Sequence, residues 1–168
     1  PAFRALLGRY QDMVYDLCLR MLGNAQDAED VAQETFLTLH ARLDAYRKEF
    51  KLSNWLYTVA INRCRSRLRK RRILRFFSLD AEPEGGDEAP RLELPSQDAP
   101  LDAALGQAEA ERWAGRLVES LPDPLKAAFI LRHLQEKSYE DISESLGLPG
   151  SNVKVRLLRA RLQLREQL

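Results

Sequence analysis

The sequence predicts an all-α protein of two small helical domains, an N-terminal helical bundle and a C-terminal helix-turn-helix, joined by a flexible acidic linker. Apolar residues recur at spacings of three and four in both halves of the chain, which is the period of amphipathic helices. No stretch alternates polar and apolar residues as a strand would. The segment between the halves is acidic and broken by proline and glycine, a composition typical of linkers. We therefore expect domains at residues 1–76 and 101–168 and a linker at 77–100.

The N-terminal domain is predicted to contain three helices. Their expected bounds are 3–22, 27–43 and 53–72, with a loop at 44–52. Asp27 and Ser53 are short polar side chains of the kind that cap the start of a helix, so they are predicted to open the second and third helices. Cys18 is expected to fill the helical core, whereas Cys64 is interpreted as an ordinary helix residue.

The end of the third predicted helix is strongly basic. Eight cations follow one another there with no acid among them: Arg63, Arg65, Arg67, Arg69, Lys70, Arg71, Arg72 and Arg75. Three aromatic residues, Tyr46, Phe50 and Trp55, lie in or next to the preceding loop. Because cations bind phosphates and aromatic rings stack on unpaired bases, this combination favours single-stranded or melted DNA. The alternative is a solvated basic face with Trp55 in the core.

The C-terminal domain is predicted to begin with a helix that ends near Ser120, followed by a helix that Pro124 opens. Ser138 is then placed to cap a short helix, with Asp141 three residues later in the pattern of a shortened capping box. Gly147 suits the left-handed conformation that commonly ends a helix. A turn follows, and the sequence returns to helical spacing beyond it.

The last two predicted helices form a helix-turn-helix, in which the second helix enters the major groove of DNA. This final helix is expected to start at a Ser151 or Asn152 cap and is rich in lysine and arginine. Its candidate DNA-reading residues are those predicted to face outward near its start: Ser151, Asn152, Lys154, Val155, Leu158 and Arg159. Arg and Lys bind guanine edges or phosphate, and apolar side chains contact thymine methyl groups. The alternative is a helical hairpin with a solvated charged face.

Other function classes find little support in the sequence. His40 and His133 stand alone on predicted helices, and there is no Ser/His/Asp set, phosphate loop or metal-binding motif, so we expect no enzyme, cofactor or metal site. Carboxylates near the start of the second helix resemble a metal cluster, but the helix dipole explains them more simply. No apolar run approaches the roughly 20 residues of a membrane span, and no signal pattern is present, so we expect a cytoplasmic protein with no membrane insertion.

Three segments together resemble the extracytoplasmic-function group of bacterial sigma factors, which belongs to the sigma-70 family of RNA polymerase subunits. They are DAEDVAQETFLTL (27–39), SNWLYTVAINRCRSRL (53–68) and LPDPLKAAFILRHLQEKSYEDISESLGLPGSNVKVRLLRARLQLRE (121–166). The resemblance covers nearly the whole chain outside the linker, and three blocks in this order are far more specific than a lone helix-turn-helix. It implies a transcription initiation factor that recognises melted −10 and duplex −35 promoter DNA.

The resemblance also implies roles for individual residues. Asp30, Gln33 and Glu34 would dock on the β′ clamp of core RNA polymerase, with the β flap as a second contact, and the final helix would read the −35 element. The residues that the basic run or the resemblance assigns to −10 DNA are Arg47, Lys48, Phe50, Lys51, Asn62, Arg63, Arg67, Arg69, Lys70 and Arg71. Members of this group are commonly held inactive by an anti-sigma factor, so such a partner is expected.

The sequence departs from the group in three places. Val155 stands where many members carry a small polar residue, which would alter −35 preference. The loop sequence FKLSNWLY (50–57) is less polar than usual. The linker is long and acidic, and it is interpreted either as a mimic of RNA in the polymerase exit path or as a solubilising tether. The alternative function is a stand-alone helix-turn-helix regulator that binds DNA without polymerase, which would leave the first domain unexplained.

Overall fold

The computed structural model describes residues 2–46, 49–80 and 106–167. Within these ranges the chain forms helices and short connections and no strand, which confirms the all-α class. The α-helices are α1 (Ala2–Leu22), α2 (Ala25–Arg42), α3 (Leu52–Asp80), α4 (Gly106–Ser120), α5 (Asp123–Phe129), α6 (Tyr139–Leu146) and α7 (Gly150–Glu166). A 3-10 turn, Leu43–Ala45, follows α2, and a π-helical turn, Ile130–Leu134, continues α5.

Helices α1, α2 and α3 form a bundle around their apolar faces. Leu17 of α1, Leu39 of α2 and Ile61 of α3 are at most 1% exposed. Burial of each such side chain contributes roughly 1.5–3 kcal/mol, so the shared core fixes α3 against its two neighbours. Cys64, expected to be an ordinary helix residue, is fully buried in this core, as Cys18 is. A hydrogen bond with Cys18, together with burial, raises the pKa of the Cys64 thiol.

The starts of α2 and α3 differ from the predicted caps. Asn24, in extended conformation, caps α2, and its side chain accepts a hydrogen bond from the backbone N–H of Asp27 at 3.1 Å. The prediction that Asp27 is the cap was therefore wrong, because the helix already begins at Ala25 and Asp27 lies in its first turn. The start of α3 at Leu52 likewise places Ser53 inside the helix rather than at its cap.

Helix α3 is longer than predicted. It runs to Asp80 rather than ending near residue 72, because no glycine or proline interrupts the chain between Leu52 and Pro83. Residues 77–80, the first four of the predicted linker, therefore belong to this helix. The remainder of the predicted linker, residues 81–100, lies outside the described residues.

Helix α6 begins and ends where the sequence predicts, and α5 begins one residue before the predicted Pro124. Pro124 lies in the first turn of α5. Ser138 caps α6, since its hydroxyl accepts a hydrogen bond from the backbone N–H of Asp141 at 3.1 Å. Gly147 ends α6 with a φ of 65°, a conformation that costs glycine little. These two features fix the turn from which α7 emerges.

The start of α7 corrects one prediction. Neither Ser151 nor Asn152 caps this helix, because Pro149 occupies the cap position and Gly150 is the first helical residue. The carbonyl of Pro149 accepts the backbone N–H of Asn152 at 3.0 Å, so Ser151 and Asn152 lie in the first turn. The buried side chains of the helix lie on one face: Val153, Leu157 and Ala160.

The two groups of helices, α1–α3 and α4–α7, lie against each other. Leu17 and Ile61 of the first group and Leu131, Ile142 and Leu157 of the second belong to one continuous buried core. Helix α3 contacts α6, and α1 contacts α4 and α5. We call this the closed arrangement. In it α6, the first helix of the helix-turn-helix, covers the start of α3.

The described helices include none that is long and apolar enough to cross a membrane. The longest of them, α3, carries arginine and lysine through much of its second half. In the same parts of the chain, no group of three or more His, Cys, Asp or Glu side chains is arranged to hold a metal ion.

Candidate nucleic-acid interface

Three residues predicted to bind −10 DNA, Arg63, Arg67 and Arg71, face α2 rather than solvent. They are spaced by four residues and so share one side of α3. Arg63 Nη1 lies 3.1 Å from a carboxylate oxygen of Glu34, and Arg67 Nη1 lies 3.0 Å from one of Asp27. Arg71 also pairs with Asp27. This row of ion pairs, which we call the α2–α3 salt-bridge row, holds the two helices together.

Two residues predicted to dock on polymerase belong to the same row. Besides its partner Arg63, Glu34 has a carboxylate oxygen 3.6 Å from Arg67, and Asp30 has one 3.9 Å from Arg67. The hydrogen bond from Arg71 is the main cause that lowers the pKa of the Asp27 carboxyl. Sequence reasoning assigned these acids and arginines to different partners and missed that they bind each other. The i, i+4 spacing of the arginines opposite an acidic helix was the available signal.

An open cleft of about 1030 Å³ lies between α1 and α2. Asp30 and Gln33 line it, whereas Glu34 does not and instead points toward α3. Apolar side chains form much of its wall: Phe3, Leu7, Tyr15, Phe36 and Leu37. Leu37 is 67% exposed, so the cleft presents an apolar edge to solvent beside polar groups.

The remaining predicted −10 residues of α3 lie on its outer surface. Asn62, Arg69 and Lys70 are exposed, and neither cation pairs with an acid in the part of the chain that the structure describes. Arg47 and Lys48, predicted to read the same DNA, lie outside the described residues. The exposed set is therefore the part of the predicted −10 surface that is free to meet a ligand.

The start of α3 is covered by α6. Lys51 Nζ donates to a carboxylate oxygen of Asp141 at 3.0 Å, and its backbone N–H donates to Glu144 at 3.2 Å. The side-chain amide of Asn54 also donates to Asp141 at 3.0 Å. The hydrogen bond from Asn54 is the largest cause that lowers the pKa of Asp141, and the bond to Asp141 raises the pKa of Lys51.

Two further hydrogen bonds join the same helices and the π-helical turn. Thr58 Oγ1 donates to the carbonyl of Ser145 at 2.7 Å, and Tyr57 Oη donates to the side chain of Gln135 at 3.1 Å. Gln135 in turn donates to Asp16 of α1 at 2.7 Å. Sequence reasoning missed all of these residues, because a pairing between distant polar side chains leaves no periodic signal.

A small cavity of about 200 Å³ lies at this covered surface. Phe50, Asn54 and Trp55 line it from the α3 side, and Glu144 lines it from α6. Asn54 is 1% exposed, and its side-chain oxygen has no hydrogen-bond partner among the described residues. A buried acceptor without a partner is costly, so this atom is poised for a donor that the closed arrangement does not supply.

The predicted −35 surface is open. All six candidate residues of α7 are exposed: Ser151, Asn152, Lys154, Val155, Leu158 and Arg159. The apolar pair Val155 and Leu158 is 44% and 54% exposed, although burial of either would be favourable. The left-handed turn at Gly147 and the buried face of α7 hold these side chains outward.

Two protein families match separate parts of the chain. The Sigma-70 region 2 family matches residues 6–73, and the Sigma-70, region 4 family matches residues 111–164. The chain is 34% identical to the ECF RNA polymerase sigma factor SigW of Bacillus subtilis over 99% of this chain and 89% of that protein. It is also 34% identical to the RNA polymerase sigma-H factor of Pseudomonas aeruginosa, over 95% of this chain and 82% of the relative.

Solved structures share the fold. The sigma factor RpoE from Bartonella quintana, in complex with the anti-sigma factor NepR, has a TM-score of 0.72 at 24% identity, over 98% of this chain and 95% of that chain. CnrH, in complex with the cytosolic domain of CnrY, has a TM-score of 0.68 at 22% identity, over 99% and 86% of the two chains. Two family regions in the expected order, together with these relatives, establish the family. The chain belongs to the extracytoplasmic-function group of the sigma-70 family of RNA polymerase sigma factors.

Proposed function

We propose that this sigma factor docks on the β′ clamp and β flap of core RNA polymerase and directs it to promoters through separate −10 and −35 contacts. In this proposal residues 1–80 form the polymerase-docking and −10 domain, with helix α3 extending it beyond the expected residue 76, residues 101–168 form the −35 domain, and residues 81–100 tether them. The observation that carries the proposal is the presence of both sigma-70 regions on one chain, with every candidate −35 residue exposed on α7.

The α1–α2 cleft is the proposed polymerase-docking surface. Its mixture of exposed apolar wall and polar rim is typical of a protein-binding groove. Gln33 and Asp30 line the cleft and would contact the clamp directly. Glu34 is the third predicted docking residue, and its pairing with Arg63 means that it would share its carboxylate between the clamp and α3.

The start of α3 is the proposed site for unpaired −10 bases. Phe50 and Trp55 supply aromatic surface for stacking, and the unpartnered oxygen of Asn54 can accept a hydrogen bond from the amino group of a base. Lys51, together with Arg47 and Lys48, would neutralise the phosphates. In the closed arrangement α6 is hydrogen-bonded to Lys51 and Asn54, so α6 has to leave before these two residues can meet the strand.

The spacing of the promoter elements also requires opening. About 25 base pairs separate −10 from −35, which at roughly 3.4 Å per base pair is on the order of 85 Å. Two helical groups that share one core cannot span that distance. Fully extended, residues 81–100 reach about 70 Å, and the helical groups at the two ends supply the rest of the distance once they separate.

The arginines of α3 divide in the same proposal according to what they contact. Arg63, Arg67 and Arg71 already bind carboxylates of α2, so we assign them first to positioning α3. Asn62, Arg69 and Lys70 are exposed and would carry the direct DNA contacts, with Asn62 near the captured base. Contacts of the first three with DNA would require their carboxylate partners to release them.

Helix α7 is the proposed −35 reader. Lys154 and Arg159 would bind phosphate or guanine edges, and the exposed Val155 and Leu158 would contact thymine methyl groups. We further propose that an anti-sigma factor controls this chain, as the structural neighbour RpoE from Bartonella quintana is in complex with the anti-sigma factor NepR. The proposed role involves no catalysis by this chain and places it in the cytoplasm with the polymerase.

The test is run-off transcription with purified bacterial core polymerase on a pool of genomic promoter fragments, with and without the full-length protein. Discrete transcripts that depend on the protein are expected, and an Asn54→Ala variant should reduce them while it still co-elutes with core enzyme. Absence of both transcripts and co-elution would overturn the proposal. Sequence-specific duplex binding by the isolated chain would then favour the stand-alone helix-turn-helix regulator.

A further inference from the structure

A cationic cavity of about 300 Å³ lies between the two groups of helices, away from the covered start of α3. Its lining residues come from both groups: Arg65, Arg69, Arg72, Asp123, Pro124 and Arg156. Three of the arginines project from α3, where they occupy the side opposite the α2–α3 salt-bridge row. The fourth, Arg156, belongs to α7. We call this the interdomain arginine cavity.

The charges that line this cavity do not balance. Asp123 is the one acid among the six lining residues, and Arg72 pairs with it. Arg65, Arg69 and Arg156 form no salt bridge with a described residue, so about three positive charges remain uncompensated. Burial, and next the positive charge of Arg156, lower the pKa of Arg65. Like charges crowded beside a half-buried guanidinium are unfavourable unless an anion joins them.

A buried lysine lies beside the interdomain arginine cavity. Lys126 of α5 is 5% exposed and lines an adjoining cavity together with Arg72, Asp123 and Glu119. Burial lowers the pKa of Lys126, whereas the charges of Asp123 and Glu119 raise it. The two acids balance Lys126 and Arg72, so the uncompensated charge is that of Arg65, Arg69 and Arg156.

We propose that the interdomain arginine cavity binds a diphosphate group, as free pyrophosphate or as the phosphate chain of a nucleotide. Guanidinium groups bind phosphate oxygens in pairs of parallel hydrogen bonds, which makes arginine the preferred residue for such anions. A volume of about 300 Å³ equals the liquid volume of about ten water molecules at about 30 Å³ each, which is enough room for a diphosphate. The site requires neither polymerase nor promoter.

The spacing of the arginines favours two linked phosphates over one. Arg65 and Arg72 are seven residues apart on α3, which is about 10 Å along the helix axis. Because arginines at both ends of that row line the same cavity together with Arg156, two linked phosphates offer oxygen atoms to more of them than a single anion does. Because the arginines that bind it come from both helical groups, an anion in this cavity stabilises the closed arrangement and opposes opening.

The experiment is isothermal titration of the full-length protein at 0.15 M salt with inorganic pyrophosphate, with inorganic phosphate and sulfate as single-anion probes and ADP as the nucleotide form. Pyrophosphate should bind at one site, and phosphate and sulfate much more weakly. Arg156→Gln and Arg69→Gln should each weaken pyrophosphate binding about tenfold or more, since each removes one charged hydrogen-bond donor. Circular dichroism confirms that each variant folds.

Two further variants test where the site lies. Arg161→Gln, on the exposed side of α7 outside the cavity, should leave the affinity within about twofold. Asp141→Ala, which loosens the contact between α3 and α6 without touching the cavity, should weaken pyrophosphate binding because half of the site separates. Equal losses for Arg156→Gln and Arg161→Gln would indicate general charge attraction and overturn the proposal, as would an unchanged affinity for Asp141→Ala.

A short DNA duplex distinguishes the other source of linked phosphates. Duplex binding that Arg156→Gln weakens, combined with no detectable binding of pyrophosphate or ADP to the unmodified protein, would mean that these arginines serve the DNA backbone alone. That outcome would overturn the proposal while leaving the sigma-factor function intact. Binding of pyrophosphate and not ADP would restrict the ligand to the free anion and support the site.

Discussion

The two surfaces proposed to read promoter DNA differ in what covers them. The −35 surface of α7 is open to solvent, whereas α6 covers the −10 surface at the start of α3. Helix α6 accounts for the exposure of one surface and the covering of the other. It positions α7 through the turn at Gly147, and its Asp141 accepts hydrogen bonds from residues at the start of α3. The closed chain is therefore prepared to meet duplex DNA but not a melted strand.

The contact by which α6 covers the start of α3, which we call the cover, relies on hydrogen bonds that DNA could replace. Asp141 accepts from Lys51 and Asn54, and both donors are groups proposed to meet DNA. The Lys51 side chain is 68% exposed, so its ion pair contributes little on its own, while the partly buried bond from Asn54 contributes more. A DNA phosphate could accept the hydrogen bond from Lys51 in place of Asp141, and a base could accept the one from Asn54. The hydrogen bonds lost on opening would then be replaced, which would make opening reversible.

Removal of the covering carboxylate should have the largest effect. An Asp141→Ala variant loses both hydrogen bonds to α3, so the free chain should open and bind a −10 single-stranded oligonucleotide about tenfold or more tightly. Fluorescence anisotropy with a labelled non-template strand measures the change. The −35 surface should bind its duplex with unchanged affinity.

Glu140→Ala is the matched control for this variant. Glu140 is the exposed neighbour of Asp141 in the first turn of α6 and has no hydrogen bond to α3. Both substitutions remove a negative charge from the positive end of the same helix dipole. If the two variants bound the single strand equally, the α6 cover would not limit access.

The open surface should respond differently to substitution. Arg159→Ala should cost about 1–3 kcal/mol on promoters that depend on −35 contacts, if its side chain pairs with a guanine. Because α7 is uncovered, the loss should be similar for the free chain and for the complex with polymerase, as measured by duplex binding. Arg161→Ala, two residues further along α7, serves as the comparison. An equal loss on every DNA sequence would reduce Arg159 to a phosphate contact.

The spacing of apolar residues was sufficient to predict the helices, because the buried positions within each helix repeat every three or four residues. Val153, Leu157 and Ala160 of α7 are buried at helical spacing, and Ser138 and Gly147 bound α6 through chemistry that acts within a few residues. The helix starts were less predictable, because neighbouring polar residues compete for the cap. Asn24 rather than Asp27 caps α2, and Pro149 caps α7 through its backbone alone.

The candidate site was predictable only in part for a related reason. The positions exposed on α7 follow from helical geometry, but the partners of α3 depend on contacts between residues far apart in the sequence. Arg67 pairs with an acid 40 residues away, and Asn54 with one 87 residues away. Neither the composition nor the spacing of a basic run distinguishes an arginine that binds a carboxylate from one that is free for phosphate.

The two faces of α3 can be separated by a pair of substitutions. Arg67→Ala removes part of the α2–α3 salt-bridge row and should lower the free energy of unfolding by about 1 kcal/mol, since its partly exposed pairs are screened by solvent. Lys70→Ala should change stability by less than about 0.5 kcal/mol. Urea denaturation measures both values.

The salt dependence of promoter binding should show the opposite order. Lys70→Ala should flatten the slope of log K against log salt by roughly 0.9 if it neutralises one phosphate. Arg67→Ala should leave the slope nearly unchanged. A reversed outcome, with the slope sensitive to Arg67 and insensitive to Lys70, would place the DNA on the face of α3 that packs against α2.

The smallest expected effect is the pH dependence of the cover. Hydrogen bonds from Asn54 and Lys51 hold the pKa of Asp141 below its ordinary value, so its ionised form is favoured in the closed chain. The stabilisation is therefore complete above the unfolded pKa of about 3.9 and is lost as pH falls through the lower folded pKa. Urea denaturation between pH 3 and 7 should show this loss in the unmodified protein and a reduced loss in Asp141→Asn, whose side chain does not titrate.

Asp27 also has a lowered pKa and titrates in both proteins, so only the difference between the two curves reports on the contact between Asp141 and the start of α3. Parallel curves would mean that the charge of Asp141 does not stabilise closure, and the cover would then depend on the buried contacts of α6 alone.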